Sequence, residues 1–189
     1  MKVQLEKTFP LSSSPEAAWA FLQDVEAVAG CMPGAAITER IDDNHYKGTV
    51  SIKMGPAKMS FRGDVEIQDV DQASRSLRLI GKGTDSTGTS GASMDLKARV
   101  NATDDGFAEL IGLSEVSMSG KAATFGGRMM NSVADRIMAQ FADNFAAQVA
   151  ATTPAESEAA KPGKELNAFA LAWGVFMDWL KSLFSKKKA

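Results

Sequence analysis

Alternation of apolar and polar residues is the dominant pattern in the first two thirds of the chain. Residues 2–9 place Val3, Leu5 and Phe9 on one face and polar side chains on the other. Similar alternation recurs over residues 46–54 and 59–68. Further strands are predicted over residues 36–41 and near residues 75–82, 92–101 and 107–118. A period of two predicts half-buried strands, and the short turns between neighbours predict an antiparallel meander.

Two short helices are predicted between the first and second strands. Ser14, Pro15 and Glu16 form a helix start, because serine caps, proline suits the first turn and glutamate favours the positive helix end. Asp24 can cap a second short helix through Ala29, which a following Pro-Gly turn stops.

A long helix is predicted from about residue 122 to residue 151, after Gly120 closes the last strand. Its apolar face needs a large surface to cover, and the sheet is the candidate. The predicted fold is therefore α+β, a curved seven-stranded antiparallel sheet wrapped around a long C-terminal helix. One helix face comprises Met130, Val133, Ile137, Phe141, Phe145 and Gln148.

The end of the chain differs from the predicted domain, which covers residues 1–151. Residues 152–164 contain prolines, charges and small residues, which is typical of a flexible linker. Residues 165–189 predict a separate amphipathic helix that lies at a lipid–water interface, since Asp178 and Lys181 disfavour a span. The alternatives are a membrane-spanning tail anchor, and packing of this helix on its own domain or on a partner. The predicted membrane-binding residues are Trp173, Phe176, Met177, Trp179, Leu180, Leu183, Phe184, Lys186, Lys187 and Lys188.

Composition and charge limit the functions that this chain can have. The net charge of −2 gives no overall basic field for nucleic acid. A single cysteine allows no intramolecular disulfide and fits a reducing compartment, and the N-terminus does not read as a secretory signal. We therefore expect a cytoplasmic protein, attached peripherally to the inner face of the cell membrane through its C-terminal helix.

The chain offers little catalytic chemistry. His45 is the only histidine and is expected at the surface of a hairpin, and Cys31 is the only cysteine and is expected to pack before a tight turn. One histidine and one cysteine provide no ligand set for zinc, haem or an iron–sulfur cluster. No catalytic residue, metal site or covalent cofactor is predicted.

The predicted inner face of the sheet is unusually rich in glycine and methionine. Gly48, Gly63, Gly81, Gly83 and Gly112 share the parity of the inward apolar residues, so they either leave room or mark bends in the sheet. Methionines adapt to variable apolar ligands, so the residues fit either a ligand cavity or ordinary packing of a curved sheet on a helix. Arg128 is either solvated or a donor to a ligand oxygen at the cavity mouth. The predicted ligand-binding residues are Met54, Met59, Phe61, Met94, Met118, Phe125, Arg128, Met129, Met130 and Phe141.

Several short motifs carry a resemblance to a known family. The order of elements resembles the START-like helix-grip superfamily, which includes pollen allergens and polyketide cyclases. Within it, the chain resembles the family of carbon monoxide dehydrogenase G subunits over residues 1 to about 150. The matching motifs are Cys31-Met32-Pro33-Gly34, Met54-Gly55-Pro56, Phe61-Arg62-Gly63, Gly81-Lys82-Gly83, Val116 to Ala122, Gly126-Gly127-Arg128 and Gln140-Phe141.

This resemblance implies a non-catalytic accessory protein with an apolar cavity. The implied partners are a molybdenum hydroxylase of the carbon monoxide dehydrogenase type, the membrane surface, and a respiratory quinone (menaquinone or ubiquinone) or other lipid. Two alternatives remain: a membrane recruitment scaffold without a ligand cavity, and a polyketide cyclase or aromatase-like enzyme.

Overall fold

The architecture follows from a computed structural model, which describes residues 1–54 and 57–152. The predicted turn at residues 55–56, the linker and the amphipathic helix of residues 165–189 lie outside the described residues. The strands are β1 (Lys2–Leu11), β2 (Ala35–Arg40), β3 (His45–Met54), β4 (Ala57–Asp71), β5 (Ser76–Asp85), β6 (Ser90–Ala102) and β7 (Ala108–Gly120). The helices are α1 (Pro15–Leu22), α2 (Val25–Cys31) and α3 (Gly127–Thr152), with a 3₁₀ turn at Lys121–Phe125.

The strands form a single antiparallel sheet in the order β1-β7-β6-β5-β4-β3-β2. Strands β2 to β7 follow one another as the predicted meander, and β1 joins the far edge by pairing with β7. Val3 lies opposite Val116 and Phe9 opposite Leu110, so the apolar parity of β1 continues that of β7. The predicted fold class is confirmed for the described residues.

Side-chain caps fix both short helices where the sequence predicts them. The Ser14 hydroxyl accepts a hydrogen bond from the Ala17 amide at 3.2 Å, and the Asp24 carboxylate accepts one from Ala27 at 3.0 Å. These caps satisfy amides that would otherwise lack partners in the first turn. α2 continues two residues beyond its predicted end, to Cys31.

The long helix begins later than predicted. Gly120 and Gly126 both adopt positive φ angles, 64° and 77°, and the 3₁₀ turn lies between them. α3 therefore starts at residue 127 rather than at about residue 122. Its inner face also differs at one position, because Val149 is fully buried whereas Gln148 is exposed.

The core is divided into two apolar clusters. The large cluster joins α1 and α2 to the C-terminal half of α3, with Phe145 against Phe21 at 5.0 Å between ring centroids. The small cluster lies near the start of α3 and has Phe61, Met118, Ala122 and Met130 as its buried members. This division leaves the middle of the inner face between them.

Candidate functional site

The middle of the sheet's inner face faces α3 without being fully covered by it. Register places Leu5, Val65, Met94 and Leu96 on the same face as the buried Ala98 and Met118. All four are only half-buried, and none belongs to either core cluster. Inward apolar side chains that stay accessible indicate open space on that side of the sheet.

The facing surface of α3 shows the same feature. Met130 and Phe141 are buried, but Val133, Ala134, Ile137 and Met138 between them are only half-buried. The helix rises by about 16 Å over the eleven residues from Met130 to Phe141. Sheet and helix therefore leave an apolar gap between the two core clusters, which we call the central gap.

Ser114 brings a polar group to the central gap. It shares the inward parity of Gly112 on β7 and lies opposite Leu96 of β6. Its Oγ is buried and has no hydrogen-bond partner within residues 1–54 and 57–152. Leaving a buried hydroxyl unpaired costs about 1–3 kcal/mol, so a ligand or water that reached this covered atom would relieve that cost.

The inward glycines fall into two groups. At Gly81 and Gly112 an added Cβ would meet only Met94 or Leu96 side-chain atoms, at 3.6 Å or more. At Gly63 it would collide with the Lys82 carbonyl oxygen, because β4 and β5 approach closely there. Gly81 and Gly112 therefore leave room beside the central gap, whereas Gly63 marks a bend.

A polar link joins the two layers at the edge of the sheet. Lys7 has the inward parity of Leu5 and Phe9, and its Nζ donates a 2.8 Å hydrogen bond to the Asp135 carboxylate of α3. The two side chains are 36% and 61% exposed, so water screens their attraction. This ion pair connects β1 with α3 near the level where the inward residues are only half-buried.

The predicted ligand-binding residues occupy different places. Phe61, Met118 and Met130 are buried members of the small cluster, and Met59 and Phe125 pack against it. Met94 lines the central gap, and Phe141 belongs to the large cluster.

The other three predicted residues do not join this group. Met129 is 39% exposed and Arg128 is exposed, so neither belongs to the inner apolar surface that Met130 joins. The side chain of Met54 lies outside what the structure describes. Ser114, which the sequence analysis missed, could have been recognised as the polar inward position between Gly112 and Val116.

An open groove of about 580 Å³ lies against the outer face of the sheet. Its outward side chains are charged or carry hydroxyl groups, so it does not suit an apolar ligand. They belong to Arg62, Asp64, Lys82, Thr84, Ser93, Ser117 and Ser119.

The remaining titratable candidates have structural environments. Cys31 is buried, and burial raises the pKa of its thiol. The hydrogen bond from His45 to Asp42 raises the pKa of the half-exposed imidazole. In the described part of the chain, no group of His, Cys, Asp or Glu side chains could hold a metal ion. Of the helices in that part, none has the length and hydrophobicity needed to cross a bilayer.

Solved structures with the same fold support the architecture. A conserved protein from Geobacillus kaustophilus superposes with a TM-score of 0.71 at 20% identity, covering 79% of this chain and 97% of its own. The Streptomyces ZhuI aromatase/cyclase gives 0.59 at 14% identity, covering 82% and 98%. A START superfamily protein from Mycobacterium smegmatis gives 0.55 at 16% identity, covering 79% and 99%. At these identities the likeness shows the fold alone.

Sequence comparison identifies the family. Among proteins with curated functional descriptions, none matches this chain. The family of carbon monoxide dehydrogenase G subunits (CoxG) matches residues 8–150, which is most of the chain and nearly all of the sheet and α3. The chain therefore belongs to the CoxG family of carbon monoxide dehydrogenase subunits.

Proposed function

We propose that this protein binds a lipophilic molecule, a respiratory quinone such as menaquinone or ubiquinone, in the central gap. As a non-catalytic accessory protein, it links a molybdenum hydroxylase of the carbon monoxide dehydrogenase type to the cell membrane. The observation that carries the binding proposal is the half-buried apolar surface on both layers of the gap, with the unpartnered Ser114 hydroxyl among it.

The chemistry of the gap suits such a ligand. Leu5, Val65, Leu96 and Ile137 offer apolar contact to a hydrocarbon ring or chain, and Met94 adds a side chain that adapts its shape. The Ser114 hydroxyl can donate one hydrogen bond, and a quinone carbonyl oxygen can accept it. Many apolar contacts with few polar ones are typical of small-molecule sites.

Membership of the CoxG family supports the proposed partner enzyme. CoxG proteins are named as a subunit of carbon monoxide dehydrogenase, which is consistent with an accessory role beside that enzyme. Attachment to the membrane is proposed from the amphipathic sequence of residues 165–189. Its test is flotation with vesicles of the full chain and of a Trp173→Glu/Phe176→Glu variant, which should remain unbound under conditions where the full chain floats.

Filling the central gap tests the binding proposal. The variant Gly112→Leu places a side chain into the gap, because an added Cβ at Gly112 meets only Leu96 Cδ1 at 3.6 Å. The matched control is Gln4→Leu, which adds the same side chain on the exposed outer face of β1. Both proteins are purified from the native host and their extracted lipids are identified by mass spectrometry.

We expect quinone to copurify with the wild-type chain and the Gln4→Leu control, and to be lost from Gly112→Leu. Circular dichroism confirms that both variants keep the fold. If no quinone or other lipid accompanies the wild-type protein, the ligand proposal is wrong and a recruitment scaffold without a ligand cavity is the better description. If Gly112→Leu retains the lipid at wild-type occupancy, the ligand lies elsewhere.

A further inference from the structure

Charge is strongly separated along the strands of this domain. One end is where β1, β2, β4 and β6 begin, and it comprises residues 1–3, 31–39, 47–54, 57–64, 82–94 and 116–130. We call it the basic end. It contains eight lysines and arginines and three acidic residues, whereas the rest of the described chain contains seven lysines and arginines and sixteen acidic residues. The basic residues are Lys2, Lys47, Lys53, Lys58, Arg62, Lys82, Lys121 and Arg128.

Most of these cations are free to meet an external anion. All eight are exposed. Lys2 pairs with Glu115 and Lys47 with Glu39, but the other six form no salt bridge among the described residues. Of the three acids, Glu39 is the partner of Lys47, and Asp85 accepts hydrogen bonds from the Thr87 hydroxyl at 2.5 Å and the Ser90 amide at 2.7 Å. The positive field of this end is therefore only weakly neutralised by its own neighbours.

The basic end also exposes apolar surface. It holds the small cluster, whose members Phe125 and Met59 are only partly buried. Met129, on the first turn of α3, is 39% exposed beside Arg128. Exposed apolar side chains at the same end of a domain as lysines and arginines are typical of a surface that lies in the headgroup region of a bilayer.

The outer groove adds polar contacts at the same end. Arg62 and Lys82 project from β4 and β5 into it, with the hydroxyls of Thr84 and Ser93 nearby and the Asp64 carboxylate on the same rim. Cationic and hydroxyl donors side by side are the groups that coordinate phosphate oxygens. A lipid phosphate therefore fits this groove better than an apolar ligand does.

We propose that the basic end docks on an anionic lipid bilayer, so that the domain presents its small cluster, and through it the central gap, to the membrane. This inference rests on the proposed function for its purpose, since docking would orient the gap for exchange of a lipophilic ligand. The acidic remainder of the domain would point away from the surface, because anionic headgroups repel it.

The test uses the full chain with both parts of its amphipathic segment disabled, so that only the domain can bind. Trp173→Glu, Phe176→Glu and Trp179→Glu remove the apolar face, and Lys186→Gln, Lys187→Gln and Lys188→Gln remove the terminal cations. In this background we compare Lys58→Glu/Arg62→Glu/Lys82→Glu with the control Lys97→Glu/Arg99→Glu/Arg136→Glu. The two variants change the net charge equally, but the control residues lie outside the basic end. Cosedimentation is measured with vesicles of phosphatidylcholine alone and with vesicles that also contain phosphatidylglycerol.

We expect the background chain to bind the phosphatidylglycerol vesicles in low salt and to release them in high salt, with no binding to phosphatidylcholine alone. Removing a cation from an anionic surface costs about fivefold in binding, so the basic-end variant should lose about a hundredfold or more. The control should change binding by less than about threefold, since its residues lie away from the surface. Equal losses in both variants would show that net charge alone matters, and the proposal would be wrong.

Orientation is tested with an environment-sensitive fluorophore on Met129→Cys or on Asp104→Cys, since the native Cys31 is buried and unreactive by comparison. Emission should shift to the blue on vesicles only for the label at residue 129. The lipid proposal is wrong if the background chain does not bind vesicles. If that chain instead binds the purified dehydrogenase, and the basic-end variant loses this binding, the surface is a protein-binding site. Copurified quinone is measured separately, so failure of the ligand proposal and failure of docking are distinguishable.

Discussion

The replacement Gly63→Ala tests whether the inner glycines mark a bend or leave space. An added Cβ at Gly63 would collide with the Lys82 carbonyl oxygen and would lie 2.5 Å from Gly83 Cα. Both contacts are with backbone atoms, so β4 and β5 must separate to relieve them. Forcing extra atoms into a packed position costs about 1–3 kcal/mol.

The matched control is Gly81→Ala, which lies at the next inward-facing pair of the same two strands. There the new Cβ would meet only the Met94 side chain, at 3.8 Å and 3.9 Å, which is ordinary contact. Replacing glycine at an unstrained position stabilises by about 0.4–1 kcal/mol, mainly by restricting the unfolded chain. The two substitutions are chemically identical, but we expect them to change the free energy of unfolding in opposite directions.

Chemical denaturation with urea measures the free energy of unfolding of each variant, and thermal unfolding provides a second measurement. For a domain of this size, 1 kcal/mol corresponds to about 2–4 °C in Tm. Gly63→Ala should therefore lower Tm by about 2–12 °C, while Gly81→Ala should leave it unchanged or raise it by a few degrees. Equal effects of the two variants would refute the distinction between bend and space.

Three further predictions concern other parts of the domain. Phe145→Ala removes a fully buried ring from the large cluster and should cost about 3–5 kcal/mol in urea unfolding, with Phe107→Ala, which is 50% exposed, as the mild comparison. Ser114→Ala should leave the ligand-free protein as stable or more so, yet weaken quinone binding about fivefold, because one hydrogen bond is worth about 1 kcal/mol; unchanged affinity would place the quinone oxygens elsewhere. The raised pKa of His45 should return towards its ordinary value in Asp42→Asn, as followed by NMR of the single histidine. Because the folded pKa lies above the unfolded one, the associated stability is complete below the unfolded pKa and is lost as pH rises through the folded pKa.

The strands and their facing residues could be predicted because their signal is local. Alternation along β4 and β5 identifies which side chains share a face without any knowledge of the partner strand, and the observed register agrees. The caps at Ser14 and Asp24 are local in the same sense, since acceptor and donor lie three residues apart.

The central gap and the start of α3 could not be predicted in detail, because the alternation of apolar and polar residues does not determine them. Gly63 and Gly81 have the same parity, and only the distance to the neighbouring backbone separates a bend from free space. Met129 and Met130 are adjacent and equally apolar, but the phase of α3 buries one and exposes the other. That phase depends on Gly126, whose positive φ ends the 3₁₀ turn before the helix begins.

The pairing of β1 with β7 has a consequence for biosynthesis. β1 is synthesised before the other six strands of this sheet, yet its hydrogen-bonding partner is the last of them, more than a hundred residues later. Until residues 108–120 have emerged, Val3, Leu5 and Phe9 have no strand to pair with. Such distant pairing slows folding and leaves an edge open to association with other chains. Nascent chains stalled before β7 should therefore be the species that most need chaperone protection.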